Sequence, residues 1–362
     1  MNYAISAIVP IFNAENWLRP CLKSILNQAF RNIEVLLVND GSTDLSGAIC
    51  EEFAITDIRV KVIHKPNGGA SSAKNAGLQA ASGKYVAFLD ADDEIDPLFF
   101  VKLYAMAEEH ACEVLIGGYA TIPTKQNVSP CFRLHTVMNG KDLILSAAAV
   151  HSNNDLCFTW RSLFLRASLE KNGILYNEGL TVGEDTIFHL EALLTSDRVC
   201  AIPDPLYYHN TVNNLNSLIR SPYKHYLEES LVLQYQLRKS LSEKFGLLAH
   251  AHYRKDMASY HIQTILSMLI NNFKNNPVAP AKKDMARIVS LKMMTDSTKE
   301  LGWLHNYSNI KSFLYYLTLK FKLAAWLYHF EFRLPRQSPL LFLKLFGRKK
   351  TVHNRLIRYT KR

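Results

Sequence analysis

Apolar runs alternate with stretches of helical period through the first 120 residues. "AISAIVP", "NIEVLLVND", "RVKVIH", "KYVAFLD" and "CEVLIGG" each read as a short buried strand. Between the first two, "NAENWLRPCLKSILNQ" places Trp17, Leu18, Cys21, Leu22, Ile25 and Leu26 on one helical face. Asn13 is the expected N-cap of that helix, and Pro20, deep in the segment, predicts a kink or a restart. Further helices are expected through Ile49 and Phe53, from Ala70 to a stop at Ser82–Gly83, and after Asp96–Pro97, an N-cap followed by proline at the first helical position. Strand alternating with helix predicts an α/β fold, a Rossmann-like, mostly parallel sheet with helices on both faces. Ligands of such sheets sit at the carboxyl ends of the strands. Residues 120–225 are mixed in pattern, and from about 226 the chain is helical, broken by "NNFKNNPVAPAKK". The expected division is therefore 1–225 and 226–362.

Length agrees with that division, since 362 residues is long for one core. The six cysteines are scattered, with no CxxC pair and no HExxH, which argues against a disulfide framework or a zinc site. The N-terminus lacks the tripartite form of a signal peptide, and no eighteen-residue apolar run occurs, so the expected location is the cytoplasm. The net charge of +10 belongs to one end: Lys311 to Arg362 holds thirteen Lys/Arg against the single acid Glu331.

The strand ends carry "PIFN", "NDGSTD", "HKPNGG" and "DADDE". In the last, Asp96 is expected to cap a helix and Glu94 to face water, which leaves Asp90, Asp92 and Asp93 at the end of a buried strand. With only Ala91 between them, Asp90 and Asp92 can reach the same side of a turn. Oxygen-only ligands of that kind suit Mg²⁺ or Mn²⁺ bridged to phosphates. In "NDGSTD", Gly41 permits a tight turn and Ser42 or Thr43 can cap the next helix, while Asp40 is left over to accept hydrogen bonds from a base or ribose. GxGxxG and GxxxxGK[ST] are both missing, which argues against nicotinamide dehydrogenases and P-loop NTPases. In "TVGEDTIF", Thr181 and Glu184 fit a capping box. Asp185 has two readings, a favourable charge in a helix's first turn or a carboxylate held to take a proton from an attacking hydroxyl.

Together, "IVPIFN", "VNDGSTD", "NGGASSAKNAG", "YVAFLDADDEID" and "GEDTIF" resemble the family 2 glycosyltransferases, which have the GT-A fold; the resemblance covers roughly residues 1–215. It implies a nucleotide-sugar donor, usually a UDP-sugar, a divalent metal (Mg²⁺ or Mn²⁺) and inversion at the anomeric carbon by direct displacement. Carried over by position, Pro10, Phe12, Asn13 and Glu15 would lie along the donor, with Phe12 against the base where the family often has tyrosine. Asp40 would bond the base beside Gly41. Lys74, where arginine is more usual, would face phosphates or ribose. Asp90, Ala91 and Asp92 form the DxD motif, with Asp92 as the metal contact, and Asp185 would be the general base. His209 stands at a usual arginine position and would touch phosphate or metal; the plainer alternative is a buried, hydrogen-bonded histidine. Ser217 would keep part of the altered loop that follows.

The resemblance implies a glycan or lipid-linked glycan acceptor, as in assembly of bacterial surface polysaccharides. "IKSFLYYLTLKFKLAAWLYHF" puts Lys311, Thr318, Lys322 and His329 on one stripe of a helix, and "PLLFLKLFGRKK" repeats the apolar and basic mixture. That predicts attachment of residues 311–362 to an anionic membrane surface, on the inner face of the cytoplasmic membrane. The alternative is a packed helix with snorkelling lysines. No nucleic-acid recognition motif is present in the tail, so no nucleic-acid partner is expected. A nucleotidyltransferase would need a basic, glycine-rich loop where this chain has "PIFNAEN". A binding protein of the same fold that has lost catalysis is the remaining rival.

Overall fold

The computed structural model describes residues 3–212, 221–276, 280–302 and 310–332. Nine strands form one sheet: β1 (Ile5–Ile11), β2 (Ile33–Asp40), β3 (Val60–Lys65), β4 (Tyr85–Phe88), β5 (Glu94–Ile95), β6 (Val114–Ile122), β7 (Asn127–Val128), β8 (Ser162–Leu165) and β9 (Val199–Asn210). Their order is β3-β2-β1-β4-β8-β6-β9-β5, with β7 on β6. The helices set against the sheet are α1 (Leu18–Leu26), α2 (Ser46–Thr56), α3 (Ala70–Ala80), α4 (Phe99–Glu109), α5 (Gly140–Ser146), α6 (Arg166–Asn172) and α7 (Glu184–Leu194). One apolar core takes Leu18, Leu22, Ile49 and Leu103 on one face of the sheet, and a second takes Ala73, Leu78, Leu143 and Phe188 on the other. Both faces of β1 and β2 are therefore covered, which is why those strands read as apolar runs without alternation.

The expected α/β plan is present, but the sheet is mixed. The parallel block β3-β2-β1-β4 continues into β8, which runs antiparallel to both β4 and β6. β8 is four residues long, too short to show a period. β6 and β9 run parallel with a register shift at Gly118, a bulge that bends the pair. Beyond the bulge β9 pairs with β5, setting Tyr208 opposite Glu94 and Tyr207 opposite Ile95.

Local details correct several expectations. α1 begins at Leu18, so Pro20 lies in its first turn, where a missing N–H breaks no helical bond and no restart follows. Asn13, at φ 50°, does not cap α1 but accepts from the backbone of Thr43 at 2.8 Å. Neither Ser42 nor Thr43 caps α2, whose N-cap is Leu45; Asp44 just before it accepts from Ser46 N at 2.9 Å. Asp96 accepts from Leu98 N at 2.9 Å but is not the expected N-cap: α4 begins at Phe99 after Leu98, so Asp96 and Pro97 lie in the turn before the helix. Glu94 is exposed, within β5. All six cysteines are free.

The chain then continues as α8 (His225–Lys244), α9 (Ala251–Tyr260), a π-helical turn (His261–Ile265), α10 (Leu266–Lys274), α11 (Lys282–Val289), α12 (Lys292–Leu301), α13 (Ile310–Lys320) and α14 (Ala324–Phe332). These close a third core around Leu231, Leu269, Met285, Met294 and Tyr316. The single amphipathic helix expected over 310–330 is broken at 321–323, where Lys322 has φ 52°. Tyr315, Tyr316, Leu319 and Leu327 are buried in this core, so part of the segment is packed rather than free to face lipid. Among the described residues no helix is long and apolar enough to cross a membrane.

Candidate active site

The sheet order reverses between β1 and β4, and the crevice of an open α/β sheet lies at that point. The ends of β1 and β2 are tied across it. Asn13 N donates to Ser42 Oγ (3.1 Å), Glu15 N to Asp44 Oδ2 (3.0 Å), and Leu45 N to Glu15 Oε2 (2.9 Å). Gly41 has φ +71°, and a Cβ there would meet Asn67 N at 2.8 Å, so the turn admits only glycine without strain. Asp40 is buried; its Oδ1 accepts from Lys65 Nζ (2.5 Å) and Gly68 N (2.9 Å), and its Oδ2 from Gly69 N (2.8 Å). One acceptor site on Oδ2 remains. Pro10 is partly buried at the end of β1, and Phe12 just beyond it is 53% exposed, an aromatic face with nothing stacked on it among the described residues.

At the end of β4 the four acids of "DADDE" separate by partner. Asp93 is buried and held at both oxygens: it accepts from Tyr207 Oη (2.8 Å) and Asn210 N (2.6 Å), and its Oδ2 lies 3.2 Å from His209 Nδ1. Asp93 is therefore an anchor for β9. The carboxylates of Asp90 and Asp92 make no hydrogen bond to another described residue, while Ala91 between them is buried. Burial pushes Asp90 up to about 8; Lys74 opposes the rise, and Asp93, Asp185 and Asp92 add to it. Asp92 is raised by burial and by Asp93. His209 would be lowered by burial, but the Asp93 hydrogen bond and the charges of Asp93, Asp90 and Asp92 hold it up. The imidazole stacks on Trp160 at 5.4 Å, and Trp160 on Tyr207 at 4.2 Å.

α3 carries Lys74 into the same crevice from the other face. Its ammonium is buried 2.6 Å from Asp185 Oδ1, 3.8 Å from Glu184 Oε1 and 4.8 Å from the ring centroid of Tyr176. Burial disfavours the charge, but Asp185, Tyr176, Glu184 and Asp90 outweigh it and hold the lysine protonated. Thr159 Oγ1 also donates to Asp185 Oδ1 at 3.0 Å, so Oδ2 has no partner among the described residues. Asn75, next to Lys74, clamps Tyr176 by donating to its carbonyl (2.9 Å) and accepting from its N–H (2.8 Å). The expected capping box is not formed: Gly183, at φ +81°, is the N-cap of α7, and Glu184 is its first residue. Glu184 is pushed up to about 7 by burial and by Asp185, against Lys74.

The structure thus gathers Lys74, Asp90, Asp92, Asp185 and His209 at the edge where Phe12 and Asp40 lie. Ser217 falls outside the described residues. Sequence reasoning missed Thr159, Trp160 and Tyr176, which come from a stretch with no readable period. It also missed Ser230, whose hydroxyl accepts from Thr181 N (2.9 Å) and Val182 N (3.0 Å), and Gln234 beside it. Their signal was present: Ser230, Gln234, Arg238 and Ser242 recur every four residues.

Among the described residues no three His, Cys, Asp or Glu side chains cluster as a metal site. Two ligands do fit a hard divalent ion that takes its remaining positions from a substrate. Asp92 has no side-chain partner among the described residues, and His209 has Nδ1 engaged by a carboxylate, the arrangement that leaves Nε2 for a metal.

Residues 6–170 match the family described as Glycosyl transferase family 2. The uncharacterized glycosyltransferase EpsJ of Bacillus subtilis is 32% identical over 305 residues, 83% of this chain and 88% of that protein. The minor teichoic acid biosynthesis protein GgaB of the same organism is 42% identical over 187 residues, 51% of this chain and 20% of that longer protein. A crystal structure of S. aureus TarS 1-349 in complex with UDP superposes with a TM-score of 0.61 at 20% identity, covering 90% of this chain and 92% of that one.

Proposed function

The chain belongs to glycosyltransferase family 2 and has the GT-A fold, and from that premise we propose that it moves a sugar from a UDP-sugar to a hydroxyl of a bacterial surface glycan, with inversion. The observation that carries this reading is buried Lys74 paired with Asp185, beside Asp90 and Asp92, whose carboxylates have no partner among the described residues, on one sheet edge. The teichoic-acid relative and the UDP bound by TarS support the acceptor class and the donor nucleotide.

Phe12 offers its exposed face to the base, and the spare acceptor site of Asp40 takes a base N–H. Lys74, charged and buried, pairs with Asp185 and lies ready for a donor phosphate or ribose oxygen. Asp92 and His209 Nε2 would hold Mg²⁺ or Mn²⁺, which supplies positive charge to the departing diphosphate. The acceptor oxygen bonds to the anomeric carbon as the bond from that carbon to the diphosphate oxygen breaks. The electron pair leaves with the diphosphate, and the hydroxyl proton passes to Asp185 Oδ2, the oxygen free of Lys74 and Thr159. One displacement with one base inverts the configuration.

The acceptor is lipid-linked in this reading, and the enzyme works on the inner face of the cytoplasmic membrane. Phe313, Phe321, Leu323 and Trp326 are exposed on α13, α14 and the turn between them, and the sequence that follows them is rich in Lys and Arg. Sedimentation with phosphatidylglycerol vesicles, but not with phosphatidylcholine vesicles, is expected, and F321A/W326A weakens it.

A panel of nucleotide sugars with Mn²⁺ tests the core of the proposal. Wild type binds and slowly hydrolyses one donor, and Asp185→Asn still binds it with turnover lowered about 10²–10⁴-fold. No response to any donor sinks the reading.

A further inference from the structure

The polar row on α8 has no part in the chemistry above. Ser230, Gln234, Arg238 and Ser242 are all buried, although a helix that merely packs would turn apolar side chains inward. Two of them act on the segment that launches α7. Ser230 Oγ accepts from Thr181 N and Val182 N and lies 3.3 Å from Val182 O, to which it donates. Gln234 lies against Gly183, where a Cβ would come within 2.6 Å of its Nε2. Further along, Arg238 donates to His151 Nδ1 (3.0 Å) and Ser242 Oγ lies 2.8 Å from Tyr253 Oη, which fix the same helix to its surroundings.

The N-terminus of α7 depends on that outside hold. Gly183 is an N-cap without a side chain, at positive φ, and α7 has no capping hydrogen bond of its own. Glu184 and Asp185 follow at once. The direction of Asp185 Oδ2 is therefore set on one side by Lys74 and Thr159, and on the other by the Ser230 hydroxyl and the packing of Gln234 against Gly183.

We propose that Ser230 and Gln234 are positioning residues for sugar transfer, so that the helical region after residue 225 completes the active site by aiming the Asp185 carboxylate. This rests on Asp185 as the base. A displacement near 1 Å at such a group costs about 10²-fold in rate, whereas donor binding through Phe12, Asp40 and Asp92 is untouched.

The test uses the full chain as wild type, S230A, S230T and Q234A. Hydrogen exchange should rise in residues 181–187 of S230A and stay unchanged in 33–41 and 85–92. With the donor found in the panel, kcat of S230A and Q234A should fall about 10- to 100-fold while donor KM and UDP affinity stay within about twofold, and S230T should recover most of the loss. Unchanged exchange in 181–187 of S230A overturns the proposal, whatever the substrate. So does an S230A enzyme with wild-type kcat, or one whose melting temperature, UDP affinity and kcat all collapse together. If wild type turns over no donor, the function assigned to the site fails, and the exchange result still decides the positioning.

Discussion

Glu34 at the start of β2 and Asp90 just past the end of β4 lie at opposite ends of one parallel block, and their protons are driven in opposite directions. Glu34 is buried, which alone would raise it. Lys61 Nζ, Ser6 Oγ, Ser82 N and Ser82 Oγ all donate to it at 2.7 Å and hold it down at about 2. Asp90 is half-buried among carboxylates, its side chain has no donor among the described residues, and it is pushed up to about 8 against the pull of Lys74. The amino-end acid is saturated by its own fold. Asp90 and Asp92 at the carboxyl end have no such donors, the condition in which acids favour a cation.

The sharpest way to break this contrast is Asp90→Asn. Turnover should fall at least about 10²-fold, yet the metal-free protein should melt at or above the wild-type temperature, because one of several crowded carboxylates has gone. A lower melting temperature would make Asp90 a structural acid like Glu34. Glu34→Gln should do the reverse, keeping kcat within about twofold and losing about 1–3 kcal/mol in urea denaturation, since an amide N–H₂ now faces donors. The pH dependence sharpens the comparison further. Glu34 ionises in the folded state below its ordinary value of about 4.5, so its stabilisation is complete above that pH and is lost as pH falls from about 4.5 to about 2. Glu34→Gln should flatten that part of the acid-denaturation curve. Lys61→Ala should have the smallest effect, under about 1 kcal/mol, because the lysine is half exposed and the three serine donors remain.

β1, β2 and β4 were readable because both faces are buried, which writes an apolar run into the chain, whereas edge strand β3, expected to be buried, is buried only at Val60. Strand ends followed, and with them the acids and turns of the crevice. Errors collected where one residue decides a boundary. Moving the start of α1 from Asn13 to Leu18 turns Pro20 from a breaker into a first-turn residue, and Gly183 at the N-cap leaves Thr181 and Glu184 without their box. β8 was unreadable because four residues carry no period.

By itself, the sequence determined the α/β plan and the family, because each is a local pattern or an ordered set of motifs. It could not say which acid of "DADD" is spent on the fold, since Asp93 is claimed by Tyr207, His209 and Asn210, more than a hundred residues away. Nor could it say that Lys74 faces Asp185 across 111 residues, or that a serine on α8 holds the loop before them. Those choices belong to tertiary structure, because a buried charge or hydroxyl takes whichever partner the packed elements bring within about 3 Å, and spacing along the chain carries no record of that distance.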